Sequence, residues 1–186
     1  METLFLPILI GTSREARESI HVAKFVYTVL QQRSNVETEL IDPQNLNLPL
    51  DGNDDDLFDP RYKELTAKAD GFVIILPEYN HGYPGSLKRM LDSEFANYRH
   101  KPVSLMGVSS GQWGGVRAIE NILGPLRKMG LVAISKDVQF PQVQDLFDVD
   151  GNIQDPDSFT RRVDRAIDEL VWMATALKTA RRSSTT

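Results

Sequence analysis

A chain of 186 residues with 41% apolar and 25% charged residues predicts one soluble domain around a single core, without a membrane span. Because it contains no cysteine, disulfides, thiolate metal ligands and a cysteine nucleophile are excluded, and any redox chemistry needs a cofactor. The net charge of −5 argues against nucleic acid as the main partner, since such binding relies on a basic face.

Five short apolar runs predict five β-strands. The first, Leu4 to Ile10, has neither a basic leader nor a cleavage site, so we interpret it as a strand and expect a cytoplasmic protein. Val36 to Ile41 is half polar, which favours an edge strand. The other runs are almost continuously apolar, which is typical of parallel strands covered on both faces: Phe72 to Leu76, Val103 to Val108 and Leu131 to Val138.

Five helical patterns alternate with these strands. Val22, Val26, Val29 and Leu30 form an apolar stripe at helical spacing, and Ser19 is placed to cap that helix. The remaining helices are predicted at 61–68, at 85–95 behind Pro84, at 116–126 and at 159–177. Since βαβ crossovers are right-handed, this order predicts a doubly wound α/β protein, a three-layer αβα sandwich.

No repeat or linker interrupts the alternation, so residues 1–180 are predicted to be one domain and residues 181–186 a disordered tail. Two acidic loops deserve comparison with cation sites. The loop at 51–56 lacks spaced ligands and a closing glutamate, and Asp148 to Asn152 matches a tight Asp-Gly turn better than a calcium loop. No metal site is therefore predicted.

The loop after the first strand predicts an anion site. Its hydroxyl and guanidinium groups, with the N–H groups that open the next helix, suit a phosphate because the helix dipole favours negative charge there. The loop is neither Gly-x-Gly-x-x-Gly nor a P-loop, and a capped helix with solvated arginines is the alternative interpretation. The residues of this loop that we select are Gly11, Thr12, Ser13, Arg14, Arg17 and Ser19.

Two further loops follow the third and fourth strands, so all three loops lie beside the switch point of the predicted sheet. Prolines and glycines hold the second loop, at 77–88, in one shape that could present backbone groups to a planar ligand. In the third loop, at 109–115, missing side chains permit close approach of a ligand to the backbone. Each loop alone could be a simple turn, but their shared position indicates one site.

Three segments resemble signatures of the NAD(P)H-dependent FMN reductase family. They are Gly11-Thr-Ser-Arg with Arg17 and Ser19, Pro77-Glu-Tyr-Asn with Pro84-Gly-Ser-Leu-Lys, and Gly114-Gly-Val-Arg-Ala. The resemblance implies a flavodoxin-like fold with a five-stranded parallel sheet in the order 2-1-3-4-5. It implies an oxidoreductase that passes hydride from NADPH or NADH through bound FMN to a quinone, azo compound, free flavin or metal oxyanion. It also implies a homodimer or homotetramer.

The resemblance further implies roles for single residues. The FMN phosphate would be held by Ser13, Arg14, Arg17 and Ser19. The flavin ring would be lined by Pro77, Glu78, Tyr79, Asn80 and His81, and the other side closed by Ser109, Ser110, Gly111, Gly114 and Gly115. Arg117 would hold phosphates of the nicotinamide cofactor or pair with Glu120. No residue is predicted as catalytic because the flavin carries the chemistry, although His81 could donate a proton and Trp113 could gate the pocket.

Two other functions remain open. A flavodoxin-type one-electron carrier would share the fold and FMN, although flavodoxins are usually more acidic and lack the Pro-Gly-x-Leu-Lys helix start. A flavin-based redox-sensing or partner-binding module is the other, since fold and cofactor do not fix function. Arg89 and Met90 stand where many family members carry Asn, which bears on subunit contacts or substrate shape near that helix.

Overall fold

The computed structural model describes residues 2–48 and 59–183, so the acidic loop at 51–56 lies outside the described residues. All five predicted strands are present, and three of them are divided into two short pieces. The strands are β1 (Leu4–Phe5), β2 (Ile8–Ile10), β3 (Val36–Glu37), β4 (Leu40–Ile41), β5 (Phe72–Pro77), β6 (Lys101–Val108), β7 (Leu131–Ala133) and β8 (Val138–Phe140).

The strands form a parallel sheet in the predicted order. β4 pairs with β2, β2 with β5 and β5 with β6, while β7 and β8 lie one after the other along the outer edge of β6. β1 pairs with β3 and extends the first two strand positions. With each divided strand counted once, the order is 2-1-3-4-5, which confirms the flavodoxin-like, doubly wound fold.

Pro7 explains why the first strand is divided. Proline has no N–H to donate to the neighbouring strand, so the ladder is interrupted there. Leu6 N still donates to Glu37 O (2.9 Å) and Ile8 N to Glu39 O (2.8 Å). On the same side, Thr38 Oγ1 also donates to Leu6 O (2.8 Å), so the first two strand positions stay together.

Five helices cover the sheet: α1 (Ser19–Gln31), α2 (Pro60–Lys68), α3 (Gly85–Asp92), α4 (Val116–Met129) and α5 (Pro156–Ser183). One buried apolar cluster joins the sheet to α1 and α5, and a second joins its other face to α2, α3 and α4. This is the predicted three-layer sandwich. Within the described ranges, no helix is long and apolar enough to cross a membrane.

Two sequence predictions about helix ends are corrected. Ser19 does not cap α1: it is the first helical residue, and Glu18 precedes it without a capping side-chain hydrogen bond. The chain is not disordered from residue 181, because α5 continues to Ser183. Its last turn is held by Arg181 Nη1, which donates to His100 O (2.6 Å), and by Arg182, which pairs with Glu2 (2.7 Å).

Candidate functional site

A cavity of about 220 Å³ opens at the carboxyl ends of β2, β5 and β6, where the three predicted loops meet. A fourth segment, the single-turn 3-10 helix Val143–Asp145 after β8, completes its wall. The lining residues are Thr12, Arg14, Arg17, Glu18, Ser19, Pro77, Glu78, Tyr79, Val108, Ser109, Ser110, Val143 and Gln144. The sequence-based placement of a shared site at this end of the sheet therefore agrees with the cavity.

Arg17 is the buried cation of the cavity wall. Only 7% of its side chain is exposed, and its Nη2 forms an ion pair with Asp42 Oδ2. Asp42 directly follows β4, and its other oxygen, Oδ1, accepts a hydrogen bond from Gln44 N (3.0 Å). The ion pair therefore joins the loop after β2 to the loop after the neighbouring edge strand.

Three polar atoms at this end of the cavity lack a hydrogen-bond partner among the described residues. They are Nε and Nη1 of Arg17 and Oγ of Ser19, and all three are buried. A buried donor without a partner costs about 1–3 kcal/mol, so native proteins seldom leave several together. Both residues line the cavity, at the N-terminal end of α1, where the helix dipole is positive. Groups of this kind are the partners that anions take at a helix N-terminus.

Arg14 and Tyr79 connect the first loop to the second. The guanidinium carbon of Arg14 lies 5.8 Å from the centre of the Tyr79 ring, a cation–π arrangement. The hydroxyl of Tyr79 shares a hydrogen bond with Thr12 Oγ1 (3.1 Å). Arg14 is largely exposed, so it supplies positive charge at the mouth of the cavity while Arg17 supplies it inside.

Asn80 and His81 form the tip of a tight two-residue turn. Both have positive φ, 48° and 66°, and the flanking residues exchange hydrogen bonds from Tyr79 N to Gly82 O (2.9 Å) and from Gly82 N to Tyr79 O (2.8 Å). This is the geometry of a type I′ hairpin turn. The two tip side chains are exposed and stand outside the residues that line the cavity, and Asn121 Nδ2 of α4 donates to His81 O (2.9 Å).

Glu78 ties the second loop to α4. Its carboxylate accepts from Arg117 N and from Arg117 Nη1, both at 3.3 Å, so it caps the positive end of that helix. Glu78 lines the cavity, whereas Arg117 does not line it. The pairing of Arg117 is with Glu78, and the sequence-based alternative of Glu120 is not the contact observed.

The glycines of the third loop serve packing against the strands. Gly114 and Gly115 have φ of 58° and 85°, and a Cβ on either would lie 2.6 Å from Gln139 Cβ or Val108 N. The loop is therefore pressed onto the ends of β6 and β8. Gly11 is comparable, because a Cβ there would collide with the backbone oxygen of Ile75. These glycines shape the cavity from behind, while Ser109 and Ser110 form its surface.

The remaining selected residues lie at the rim. Ser13 is exposed, and its backbone oxygen accepts from Gln44 Nε2 (2.9 Å). Gly111 is also exposed, and its backbone oxygen accepts from Gln142 N (3.0 Å). Trp113 has 57% of its surface exposed at the tip of the same loop. None of these three lines the described cavity.

Four lining residues were not selected from the sequence: Glu18, Val108, Val143 and Gln144. Val108 closes a strand that was predicted as core, and Glu18 lies between two selected residues. Val143 N donates to Ser109 O (3.1 Å), which brings the segment after β8 against the third loop. The signal available in the sequence was the position of 142–144 just beyond the carboxyl end of a strand, where ligands bind in such sheets.

The other motif compared with a cation site is a turn, as predicted. Asp148 Oδ1 accepts from Asp150 N (3.0 Å) and Asn152 N (2.8 Å), and Gly151 has φ of 83°. These backbone hydrogen bonds, with the side chain of Asn152, lower the pKa of Asp148 below its usual value. In the described parts of the chain, no group of three or more His, Cys, Asp or Glu side chains could hold a metal ion.

Known proteins resemble this chain in sequence or in fold. An NADPH azoreductase from Bacillus sp. (strain OY1-2) is 33% identical over 141 residues, which cover 72% of this chain and 74% of the relative. A 2-hydroxy-1,4-benzoquinone reductase from Burkholderia sp is 30% identical over 103 residues, or 52% of this chain and 56% of the relative. FerB, a flavoenzyme NAD(P)H:(acceptor) oxidoreductase from Paracoccus denitrificans, superposes with a TM-score of 0.74 at 21% identity, covering 93% and 98% of the two chains.

The family itself follows from a longer match. Residues 6–145 match the family model described as NADPH-dependent FMN reductase. This range begins in the first strand position and ends in the 3-10 helix after β8, so it contains every segment that forms the cavity. The resemblance drawn from the three sequence segments is confirmed. The chain belongs to the NADPH-dependent FMN reductase family and is an oxidoreductase with FMN as its flavin and NAD(P)H as its electron donor.

Proposed function

We propose that this chain binds FMN in the cavity at the carboxyl ends of β2, β5 and β6 and reduces quinones or azo compounds with NAD(P)H. The observation that carries the proposal is the group of buried, unpaired donors of Arg17 and Ser19 in the cavity wall. A phosphomonoester offers several acceptor oxygens and a negative charge, which suits these donors and the positive end of α1.

The rest of the cavity suits the remainder of FMN. Pro77, Val108 and Val143 provide apolar surface from three separate elements, and such surface suits a planar conjugated ring. Ser109, Ser110 and Gln144 add polar groups beside it that could hydrogen-bond ring or ribityl atoms. When bound, FMN supplies hydride acceptance and donation, and the chain positions it.

The buried and the exposed side chains of the cavity would have different roles in binding FMN. Arg17 and Ser19 are buried and would bind the phosphate, while Arg14 would attract it at the cavity mouth and Thr12 holds Tyr79 in place beside it. Glu18 also lines the cavity but offers only acceptors when ionised, so it would face away from the phosphate. We propose no catalytic role for His81, because its exposed side chain stands apart from the cavity lining.

The acceptor is proposed from the chemistry of the relatives and the openness of the rim. The azoreductase and the benzoquinone reductase both act on conjugated molecules, as their names state. Trp113 and Val116 are exposed at the third loop and the start of α4, and would offer apolar contact to such a molecule above the cavity. Free flavin and metal oxyanions stay as predictions of the resemblance.

We also propose a homodimer or homotetramer. An open groove of about 530 Å³ lies between α3 and α4, and its wall includes Phe95, which has 51% of its surface exposed. Pro125 and Met129 lie beside it among charged side chains, and apolar surface rimmed by polar groups is typical of protein interfaces. Sedimentation equilibrium of the wild-type protein and of Phe95→Asp tests the proposal, since the substitution should shift the equilibrium towards the monomer. A cytoplasmic location stays a prediction of the sequence.

Anaerobic absorption spectra test the proposed function. The protein is saturated with FMN, NADPH or NADH is added, and a benzoquinone or an azo dye follows. Rapid loss of the flavin absorbance, then its recovery with the acceptor, is the expected result. A flavin that neither nucleotide reduces, or that accumulates as a stable semiquinone, would favour the one-electron carrier instead. Absence of FMN binding would contradict the proposal altogether.

A further inference from the structure

Asp42 lies outside the residues that line the cavity, yet it is the only described group that pairs with the buried charge of Arg17. The two residues are 25 positions apart and come from loops after different strands. An isolated buried guanidinium is costly, so the carboxylate stabilises the first loop when no ligand is present. This much would be true of any structural ion pair.

The atoms that form the ion pair between Asp42 and Arg17 indicate a further role for Asp42. Asp42 contacts only Nη2 of Arg17, and Nε and Nη1 remain buried, with no partner in residues 2–48 or 59–183. A carboxylate can take two guanidinium nitrogens at once, and Arg–carboxylate pairs are frequently bidentate in this way. Here the carboxylate fixes one nitrogen and leaves two for another acceptor.

The carboxylate is itself held in place. Its Oδ1 accepts from Gln44 N (3.0 Å), which caps the short 3-10 helix Pro43–Asn45, and Pro43 limits the backbone immediately after it. Only 16% of the Asp42 side chain is exposed. One oxygen of Asp42 is bound to the backbone and the other to Arg17. The carboxylate therefore holds the guanidinium in one orientation.

We propose that Asp42 is a positioning residue of the phosphate site, which holds Arg17 so that its two unpaired nitrogens and Ser19 Oγ receive the phosphomonoester of the flavin. The inference rests on the proposed function, because it assumes that the cavity binds FMN. Asp42 is thereby a residue outside the cavity that acts on phosphate binding. Because its charge offsets that of Arg17, recognition of the phosphate depends on the direction of the hydrogen bonds more than on net charge.

The consequence is measured as the preference for FMN over riboflavin, which lacks only the phosphate. The dissociation constants of both ligands are obtained by quenching of flavin fluorescence, and their ratio cancels changes that affect the ring. In Asp42→Ala this preference should fall about tenfold, since Arg17 loses its support and its hydrogen bonds to phosphate weaken. If Asp42 acted only as a negative charge near the phosphate, its removal would strengthen FMN binding. An unchanged or increased preference would therefore overturn the proposal.

A double-mutant cycle separates positioning from a general structural effect. If Asp42 acts through Arg17, then Asp42→Ala should change the preference less than twofold when Arg17→Met is already present. A further tenfold fall in that background would contradict the inference. Asp59→Ala is the matched control, because Asp59 also caps a helix, through Tyr62 N (3.0 Å), but its side chain binds Tyr62 N and Asn47 N and not Arg17. It should lower stability and leave the preference within twofold.

Asp42→Asn keeps the measurement decisive if the alanine variant does not fold. Asparagine retains an oxygen for Gln44 N or Arg17 and loses the charge, so a fall of about threefold in the preference is expected. An unchanged preference in Asp42→Asn would then overturn the inference. The failure of the proposed function is distinguishable: it appears in the wild-type protein as equal affinity for FMN and riboflavin, whereas a strong wild-type preference that Asp42 variants retain refutes only the positioning role.

Discussion

Two buried cations lie at opposite ends of the central strands. Arg17, at the carboxyl ends, has two nitrogens without a partner in the part of the chain that the structure describes, although Asp42 binds the third. Lys101, at the amino end of β6, donates from Nζ to the backbone oxygens of Thr66 (2.7 Å) and Ala67 (3.2 Å), which are among the last acceptors of α2. Both residues are buried, but within the described residues only the lysine has every side-chain nitrogen in a hydrogen bond.

The difference separates a structural role from a binding role. A satisfied buried cation completes a helix end, as Lys101 does for α2. An unsatisfied one in a cavity wall has donors left for a ligand. A buried hydroxyl without a partner is not by itself a binding group. The hydroxyl of Ser104 also has no partner among the described residues, but it lies within β6, in the core and away from the cavity.

Replacing the two cations by methionine should give the sharpest contrast. Arg17→Met should weaken FMN binding about 100-fold, because two charge-assisted hydrogen bonds to the phosphate are lost. Lys101→Met should leave the FMN dissociation constant within twofold. Fluorescence titration measures both, and equal effects of the two substitutions would remove the distinction between the two ends of the sheet.

The buried hydroxyls of Ser19 and Ser104 allow the same comparison, with smaller expected effects. Ser19→Ala should weaken FMN binding about tenfold and raise the free energy of unfolding of the ligand-free protein by about 1 kcal/mol, since an unpaired hydroxyl is removed. Ser104→Ala should bring a similar stabilisation with no change in FMN affinity. Thermal or urea unfolding and flavin titration measure the two quantities. If Ser104→Ala weakens FMN binding as much, the hydroxyl of Ser19 has no special role.

Lys101 should make the free energy of unfolding depend on pH. Burial, and to a smaller extent the charge of Arg181, lower the pKa of Lys101 from 10.5 to about 8. Between these values the unfolded chain binds more protons than the folded one, so stability rises with pH in this window. From pH 8 to 9.5 the free energy of unfolding should increase by about 1 kcal/mol in the wild-type protein.

Lys101→Met should lack that increase, which urea unfolding at several pH values measures. Above pH 10 the trend reverses, because burial raises the pKa of Tyr62 and Tyr98 and the unfolded chain loses those protons first. A rise that persists in Lys101→Met would assign the pH dependence to another group.

The smallest effect concerns Arg117, the cation at the rim. Its pair with Glu78 is partly exposed, so Arg117→Met should lower the free energy of unfolding by only about 0.5 kcal/mol and leave FMN affinity unchanged. The Michaelis constant for NADPH should stay constant as well. If that constant rises while the constant for NADH does not, Arg117 holds a phosphate of the nicotinamide cofactor, as the sequence resemblance implied.

Much of the fold could be predicted because its signal is local. The apolar run around Ile74 is typical of a strand covered on both faces, and the alternation with helices predicts a doubly wound sandwich, while the sheet order came from the family resemblance. The division of the first strand at Pro7 was missed, although proline's missing N–H explains it. The end of α5 was missed because its last turn is held by distant groups, His100 O and Glu2.

The site was predictable in position but not in detail. Strand order places the three loops together, yet which side chains face the cavity depends on contacts between loops. Asn80 and His81 were selected, but a turn with positive φ carries their side chains outward. Val143 enters the wall only because its backbone meets Ser109. The partner of Arg17 comes from 25 residues away, and no spacing pattern links the two.

A crystal structure of the FMN complex tests the phosphate site most directly. The phosphate is expected within hydrogen-bond distance of Arg17 Nε or Nη1 and of Ser19 Oγ, with Asp42 still bound to Nη2 and the ring against Val108 and Val143. A phosphate held elsewhere, with those three atoms still unpaired beside bound flavin, would contradict the assignment of this cavity.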